Sequence, residues 1–394
     1  MTYKLNASVA QVAPPPISES AGWLEGNSSN LPPINLSQAV PSYMPAPELA
    51  DHVAACIVDG AANLYTDILG IPELRTALAS HMSNAYAGSA DADNVAITAG
   101  CNQAFCAAML ALAKPGDNIV LTTPWYFNHQ MWLEMQGIEV RSIPAIKAGS
   151  ALPDPADLAA VCDERTRALV LISPNNPTGA VYPANLLDQF FETCKSLAIA
   201  LVVDETYKDF LDPAAPPHTL FQRDDWQDTF VQLYSFSKAY ALTGSRIGSL
   251  IAGPSMIEAI EKIIDCVAIC APHSGQRAAL FGLENLDDWK QEKRLMMAQR
   301  LAAMRTAFAT QAPTFEMISS GAFFAYVKHP FENISARDVA MGLAQHTGVL
   351  TLPGTMFGPD QDGYLRLAFA NVDAGAMNDA AHRIGHFMPQ VAAL

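Results

Sequence analysis

The stretch Leu233–Leu250, LYSFSKAYALTGSRIGSL, sets Lys238 and Arg246 among small and apolar residues. The chain has only 23 basic residues in 394, so two of them in such company call for a reason. FVQLYS (230–235) and IGSLIA (247–252), on either side, read as short strands. A lysine just past a strand is ordinarily a solvated charge. Here Ser235 lies three residues before it and Arg246 eight after it, which are groups suited to an anion.

Outward from this stretch, short apolar runs alternate with helical segments. NVAIT (94–98), NIVLT (118–122), EVRSI (139–143), ALVLI (168–172) and ALVVD (200–204) read as strands. Between them lie NQAFCAAMLALA (102–113) and NLLDQFFETCKSLA (185–198), and ahead of them IPELRTALASHM (71–82), with Leu74, Leu78 and Met82 on one helical face. Continuous apolar strands alternating with helices predict an α/β fold with a mainly parallel sheet buried on both faces. The pattern changes near residue 265. A long polar-faced helix over 287–308 then leads to AFFAYV (322–327) and YLRLAFA (364–370), which predict a smaller α+β unit. The first forty-odd residues, rich in Pro, Ser and Asn, read as an extended arm and a loop. The expected organisation is therefore an arm over 1–45, a large domain over 46–265 and a small C-terminal domain over 266–394.

Composition narrows the functional classes. Half the residues are apolar, 16% are charged and the net charge is −16, the profile of a well-buried globular enzyme. So acidic a chain argues against non-specific nucleic-acid binding and against a polybasic membrane patch. The runs AFCAAMLALA and LAIALVV fall short of a bilayer span, and MTYKLNASVAQVAPPP lacks the basic start and apolar core of a secretory signal, so a cytoplasmic location is expected. The seven cysteines form no CxxC pair; Cys266 and Cys270 stand four apart without a companion ligand, so buried thiols are expected and no metal.

In parallel α/β sheets, ligands bind beyond the carboxyl ends of the strands. The residues there are Ala99-Gly100-Cys101-Asn102, Pro124-Trp125-Tyr126, SPNNPTG (173–179), Asp204-Glu205-Thr206-Tyr207 and Ser235-Phe236-Ser237-Lys238. The helix start after Gly100 suits a phosphate, because its free N–H groups and its dipole favour an anion. A lysine on the same rim can form an imine with an aldehyde. Phosphate and aldehyde together point to pyridoxal 5'-phosphate.

SFSKAYALTGSRIG, with LYTDILGIPELRTALA, ITAGCNQAF, TTPWYFNH, SPNNPTG, VVDETYKDF and YLRLAFA in order, resembles the class I/II aminotransferases of fold type I over about residues 34–370. The resemblance implies a pyridoxal-phosphate-dependent transferase with a large, mainly parallel seven-stranded sheet flanked by helices, a smaller α+β domain, and a homodimer that shares its active sites. It implies that Lys238 holds the cofactor as a Schiff base and later moves the substrate proton. It further implies that Asp204 pairs with the pyridine nitrogen, that Tyr207 and Asn176 bond the ring hydroxyl, and that Tyr126 or its neighbour Trp125 stacks on the ring. His129 would support Asp204. Cys101, Asn102, Ser235, Arg246 and, from a second subunit, Tyr65 would hold the phosphate. Arg366 would clamp the substrate α-carboxylate, close to Asn176 and to the loop at Ala39.

Two departures from the family pattern bear on substrate. Ala39 stands where a glycine is common. Cys101-Asn102 and IIDCVAICAP (263–272) lack the basic residue that dicarboxylate-specific relatives place near one or other position. A small neutral, thioether or aromatic amino acid is therefore the expected donor, with a 2-oxo acid as acceptor in a ping-pong cycle. The alternatives are a C–S β-lyase or other chemistry with the same cofactor, and a cofactor-binding regulatory domain. Plain structural roles compete at single residues: helix capping for Asp204, packing for His129 and Phe324, core burial for Tyr65.

Overall fold

The computed structural model describes residues 3–147 and 149–389. Its centre is a seven-stranded sheet: β1 (Val95–Thr98), β2 (Asn118–Thr123), β3 (Glu139–Pro144), β4 (Thr166–Ile172), β5 (Ala200–Asp204), β6 (Phe230–Ser235) and β7 (Gly248–Ile251). The spatial order is β1-β7-β6-β5-β4-β2-β3. All neighbours are parallel except β7, which runs antiparallel to both β1 and β6.

Every residue of β1, β2, β6 and β7 is buried, and neighbouring side chains serve opposite faces. Ile97, Leu169, Leu171, Leu201 and Val203 pack against α3 (Pro72–Tyr86), which presents Leu74, Leu78 and Met82, and α5 (Ala184–Ser196), which presents Leu187, Phe190 and Phe191. Ala96, Ile119, Val170, Val202 and Leu250 pack instead against α4 (Cys101–Leu112) and α7 (Pro254–Ala268). Helices on both faces explain why these strands read as continuous apolar runs.

A four-stranded antiparallel sheet follows, built from β8 (Glu316–Gly321), β9 (Phe324–Lys328), β10 (Leu352–Pro353) and β11 (Tyr364–Ala368) in the order β8-β9-β11-β10. It packs on the long helix α8 (Asp287–Gln311) through Met304 and Phe308.

The N-terminal segment departs from the extended arm that its composition suggests. It forms two short helices, α1 (Ala7–Gln11) and α2 (Pro16–Ala21), and a 3₁₀ turn over Gly22–Gly26. Asn6 caps α1, and Pro16 opens α2, where the missing N–H costs nothing. Trp23, Ile34 and Leu36 enter the core of the smaller sheet, and Ile34–Asn35 pairs in parallel with Val349–Leu350. Proline content alone did not reveal that burial.

Candidate active site

A cavity of about 200 Å³ opens at the carboxyl ends of the parallel strands. Cys101, Asn102, Tyr126, Asn176, Asp204, Tyr207, Ser235, Lys238 and Arg246 all line it, so nine of the expected residues meet in one place. Ile172, Thr206 and Ser237 line it as well. A larger depression of about 870 Å³ lies by the smaller sheet, but Glu316, Glu332, Asp338 and Asp362 on its walls would repel a phosphate.

One transverse row of the sheet sets the floor. Gly248 on β7 faces Thr98 on β1 and Ser235 on β6. A Cβ at Gly248 would lie 2.6 Å from the Cys101 nitrogen and 2.7 Å from the Tyr234 carbonyl oxygen, so only glycine lets β7 approach the start of α4. Gly100 precedes α4 at φ +83°, no side chain caps the helix, and a Cβ there would meet Nη2 of Arg246 at 2.3 Å. The uncapped amides at Cys101 and Asn102 thus sit beside the Arg246 guanidinium and the Ser235 hydroxyl.

Asp204 ends β5 and is buried. Its Oδ1 accepts from the Thr206 amide at 3.0 Å. Burial raises its pKa, and the bonds from Thr206 oppose that rise. Nε2 of His129 lies 3.6 Å from its Oδ2. Burial lowers the His129 pKa to about 3, so the ring is neutral, and its Nε2 has no hydrogen-bond partner among the described residues. The imidazole stacks on Phe105 at 3.8 Å between centroids. A buried carboxylate with no lysine or arginine within 4 Å among the described residues is a site for a cation from outside the chain.

Lys238 lies on α6 (Phe236–Ala239), a single turn that Ser235 caps. Its Nζ donates to the Ala39 carbonyl at 2.7 Å. Burial, then Arg246 and Arg366, lower its pKa to about 8, against the pull of Asp204. Asn176 faces the cavity because its neighbour Asn175 is consumed by the loop, accepting from the Thr178 amide and hydroxyl. Tyr207 is buried edge-on to Phe323 and Phe324. Burial raises the pKa of Tyr126 to about 12 and that of the Cys101 thiol well above its usual value, so both stay protonated.

Arg366 on β11 is 2% exposed. It donates to Asn176 Oδ1 at 3.3 Å and to the Ser37 carbonyl, and its Nε has no partner among the described residues. Phe324 and Phe357 lie 5.3 and 5.1 Å from its guanidinium carbon. Burial lowers its pKa to about 10, so it remains a cation at neutral pH.

Two expected residues stand apart. Tyr65 is 76% exposed and does not line the cavity. Trp125 packs on the apolar face below β2, leaving the cavity wall to Tyr126. Thr206 stands on the expected rim but without an expected role, although its place two residues after a strand-end aspartate is where an amide folds back onto a carboxylate. Tyr43 and Phe357 come from distant segments and left no local signal.

A buried lysine amine, three anion-binding groups and a buried carboxylate without a cationic partner suit an aldehyde, a phosphate and a protonated ring nitrogen. Fold and cavity together define a pyridoxal-phosphate-dependent transferase. The chain belongs to the class I and II aminotransferases, whose family model matches residues 32–384, and its cofactor is pyridoxal 5'-phosphate. It is 30% identical to the valine–pyruvate aminotransferase of Mycobacterium tuberculosis, over 90% of this chain and 91% of that one. It is 26% identical to an aspartate aminotransferase of Sulfolobus acidocaldarius, over 91% and 90%. Among solved structures, the Thermus thermophilus aspartate aminotransferase with maleate superposes at a TM-score of 0.89 and 24% identity, over 98% of this chain and 99% of that one.

Proposed function

We propose that this aminotransferase takes its amino group from a neutral L-amino acid, with an aliphatic, thioether or aromatic side chain, and passes it to a 2-oxo acid. The observation that carries this reading is the wall beside Arg366. Phe357, which flanks the guanidinium, packs with Phe127, Leu352, Tyr126, Ile17 and Met356, and none of these carries a cation for a second carboxylate. The relatives are named for substrates as different as valine, aspartate and aromatic amino acids, so the choice rests on this chain's own residues.

When bound, pyridoxal phosphate supplies the carbon that carries the amino group and a ring that draws electrons from the substrate Cα. Ser235, Arg246 and the amides of Cys101 and Asn102 hold the phosphate, assisted by Tyr65 of a second copy. Asp204 would keep the ring nitrogen protonated, with neutral His129 behind that carboxylate at 3.6 Å. Tyr207 and Asn176 serve the ring hydroxyl, and Tyr126 covers the ring face. Arg366 grips the α-carboxylate with its planar fork, alongside Asn176 and the loop at Ala39. Lys238, with an amine already half-neutral near pH 8, would hold the cofactor carbon and, once the substrate amine has displaced it, would carry the proton at substrate Cα.

The donor leaves as a 2-oxo acid before the acceptor enters, which makes the cycle ping-pong. Residues 46–265 form the cofactor domain, 266–394 the small domain, and 1–45 the arm, in a cytoplasmic homodimer. The test is a panel of amino donors against pyruvate and 2-oxoglutarate, with Lys238→Ala as control. Alanine, valine, methionine or phenylalanine should outpace aspartate, and Lys238→Ala should lose both turnover and covalent cofactor. Faster turnover of aspartate would overturn the substrate class. Pyruvate and ammonia released from a cysteine conjugate without any acceptor would overturn transfer in favour of lysis.

A further inference from the structure

The segment from Ser37 to Tyr43 crosses over α6 and meets Lys238 at both ends of the residue. The Ala39 carbonyl accepts from the side-chain amine at 2.7 Å, and the Tyr43 hydroxyl donates to the main-chain carbonyl at 3.2 Å. The second contact answers a need built into α6. A four-residue helix leaves its last carbonyls without internal partners, and here the capping amide of Tyr240 goes to Phe236. Tyr43 supplies the missing donor to Lys238. Burial raises the pKa of its hydroxyl, so the proton stays available at any working pH.

Tyr43 is itself held. Its ring stands edge-on to Trp289 on α8, at 5.5 Å and 81°, and Nζ of Lys293 lies over both rings at 5.7 and 5.2 Å. Arg300, two turns further along α8, donates to the Ser42 hydroxyl at 2.8 Å and to the Ala370 carbonyl. At the other end of the segment, the Ser37 carbonyl rests on Arg366. The segment is thus pinned to α8, to β11 and to the lysine.

We propose that Tyr43 is a positioning residue for Lys238: it fixes the α6 backbone and, through residues 39–43, holds the Ala39 carbonyl against the amine. This rests on Lys238 being the cofactor lysine. Small displacements of a group that moves a proton cost rate steeply, because proton transfer needs the donor and acceptor already in line. The Ala39 carbonyl also favours the ammonium form as an acceptor, alongside Asp204 and against Arg246 and Arg366, the charged groups around the amine. Arg300, Asp209 and Lys293 face Tyr43 itself. Releasing the segment therefore lowers the pH at which the amine becomes neutral.

The test is Tyr43→Phe, which keeps the ring on Trp289 and removes only the hydroxyl. Two readouts are needed: steady-state kinetics of the loaded enzyme, and pH-dependent acylation of Lys238 in the cofactor-free protein, followed by mass spectrometry. We expect kcat to fall about tenfold with the donor KM within about twofold. We also expect the acylation midpoint to move down by about half a pH unit. Trp289→Phe, which weakens the ring's support without touching Lys238, should shift both readouts the same way by less. An unchanged kcat and midpoint in folded Tyr43→Phe would overturn the proposal. So would a lower kcat with an unmoved midpoint, since the hydroxyl would then act elsewhere. Covalent cofactor retained by Lys238→Ala would instead sink the assignment of Lys238, so the two failures are distinguishable.

Discussion

The depressed pKa of Lys238 makes a quantitative demand on the cofactor-free protein. An ordinary lysine, at 10.5, is neutral in about one molecule in three thousand at pH 7. With a pKa of about 8, roughly one in eleven is neutral, a gain of about 300-fold in reactive amine. The physical causes are burial and the cations Arg246 and Arg366, with Asp204 opposing. A pulse of acylating reagent between pH 6 and 11, scaled to the high-pH plateau and read at the Lys238 peptide, measures this directly. Labelling should rise tenfold per pH unit and level near pH 8. Arg366→Met should move that midpoint upward, because one of the depressing charges is gone. A midpoint at 10 or above in the wild-type chain would refute the reasoning.

The same shift sets a stability trend. Between about pH 8 and 10.5 the unfolded chain binds more protons at this lysine than the folded one. Stability from this group therefore rises with pH across that window, and its penalty, about 3 kcal/mol, is complete below pH 8. Urea unfolding of cofactor-free Lys238→Met should show a flatter profile over that range.

Three further outcomes follow from packing and charge. Arg366→Lys keeps a cation but not the fork, and should raise the donor KM about 100-fold; less than a threefold change in steady-state assays would remove Arg366 from carboxylate binding. Gly248→Ala drives a methyl group into the backbone at Gly100 and Cys101. It should cost about 1–3 kcal/mol in urea unfolding and weaken cofactor affinity about tenfold in a spectroscopic titration. Phe190→Ala empties a fully buried position under the sheet and should cost about 3–5 kcal/mol of stability while leaving donor KM in place.

The parts of this molecule that could be read locally were those whose signals are local. Leu74, Leu78 and Met82 announce their helix by spacing, and Gly100, Asp204 and Lys238 announce themselves by following apolar strands. The structure brings those rim residues together because parallel strands end on one side. Contacts between distant segments leave no such trace. Nothing near Ser37–Tyr43 shows that it spans Lys238, or that Phe357 will flank Arg366. The antiparallel run of β7 was equally hidden, since GSLI has the same apolar pattern in either direction. The N-terminal segment misled for a different reason: its prolines permit a helix start as readily as an extended chain, and only the buried Trp23 decides between them.

The place of β7 in the sheet has a consequence for synthesis on the ribosome. Among the described residues, β1 is an edge strand whose only partner in that sheet is β7, made about 150 residues later. Until residue 251 clears the exit tunnel, the anchor for the start of α4 does not exist, although the five parallel strands β2 to β6 can already have paired. A nascent chain should therefore gain the capacity to capture pyridoxal phosphate abruptly, as a late step, and premature chains that end before β7 should expose an unpaired strand for chaperones to cover.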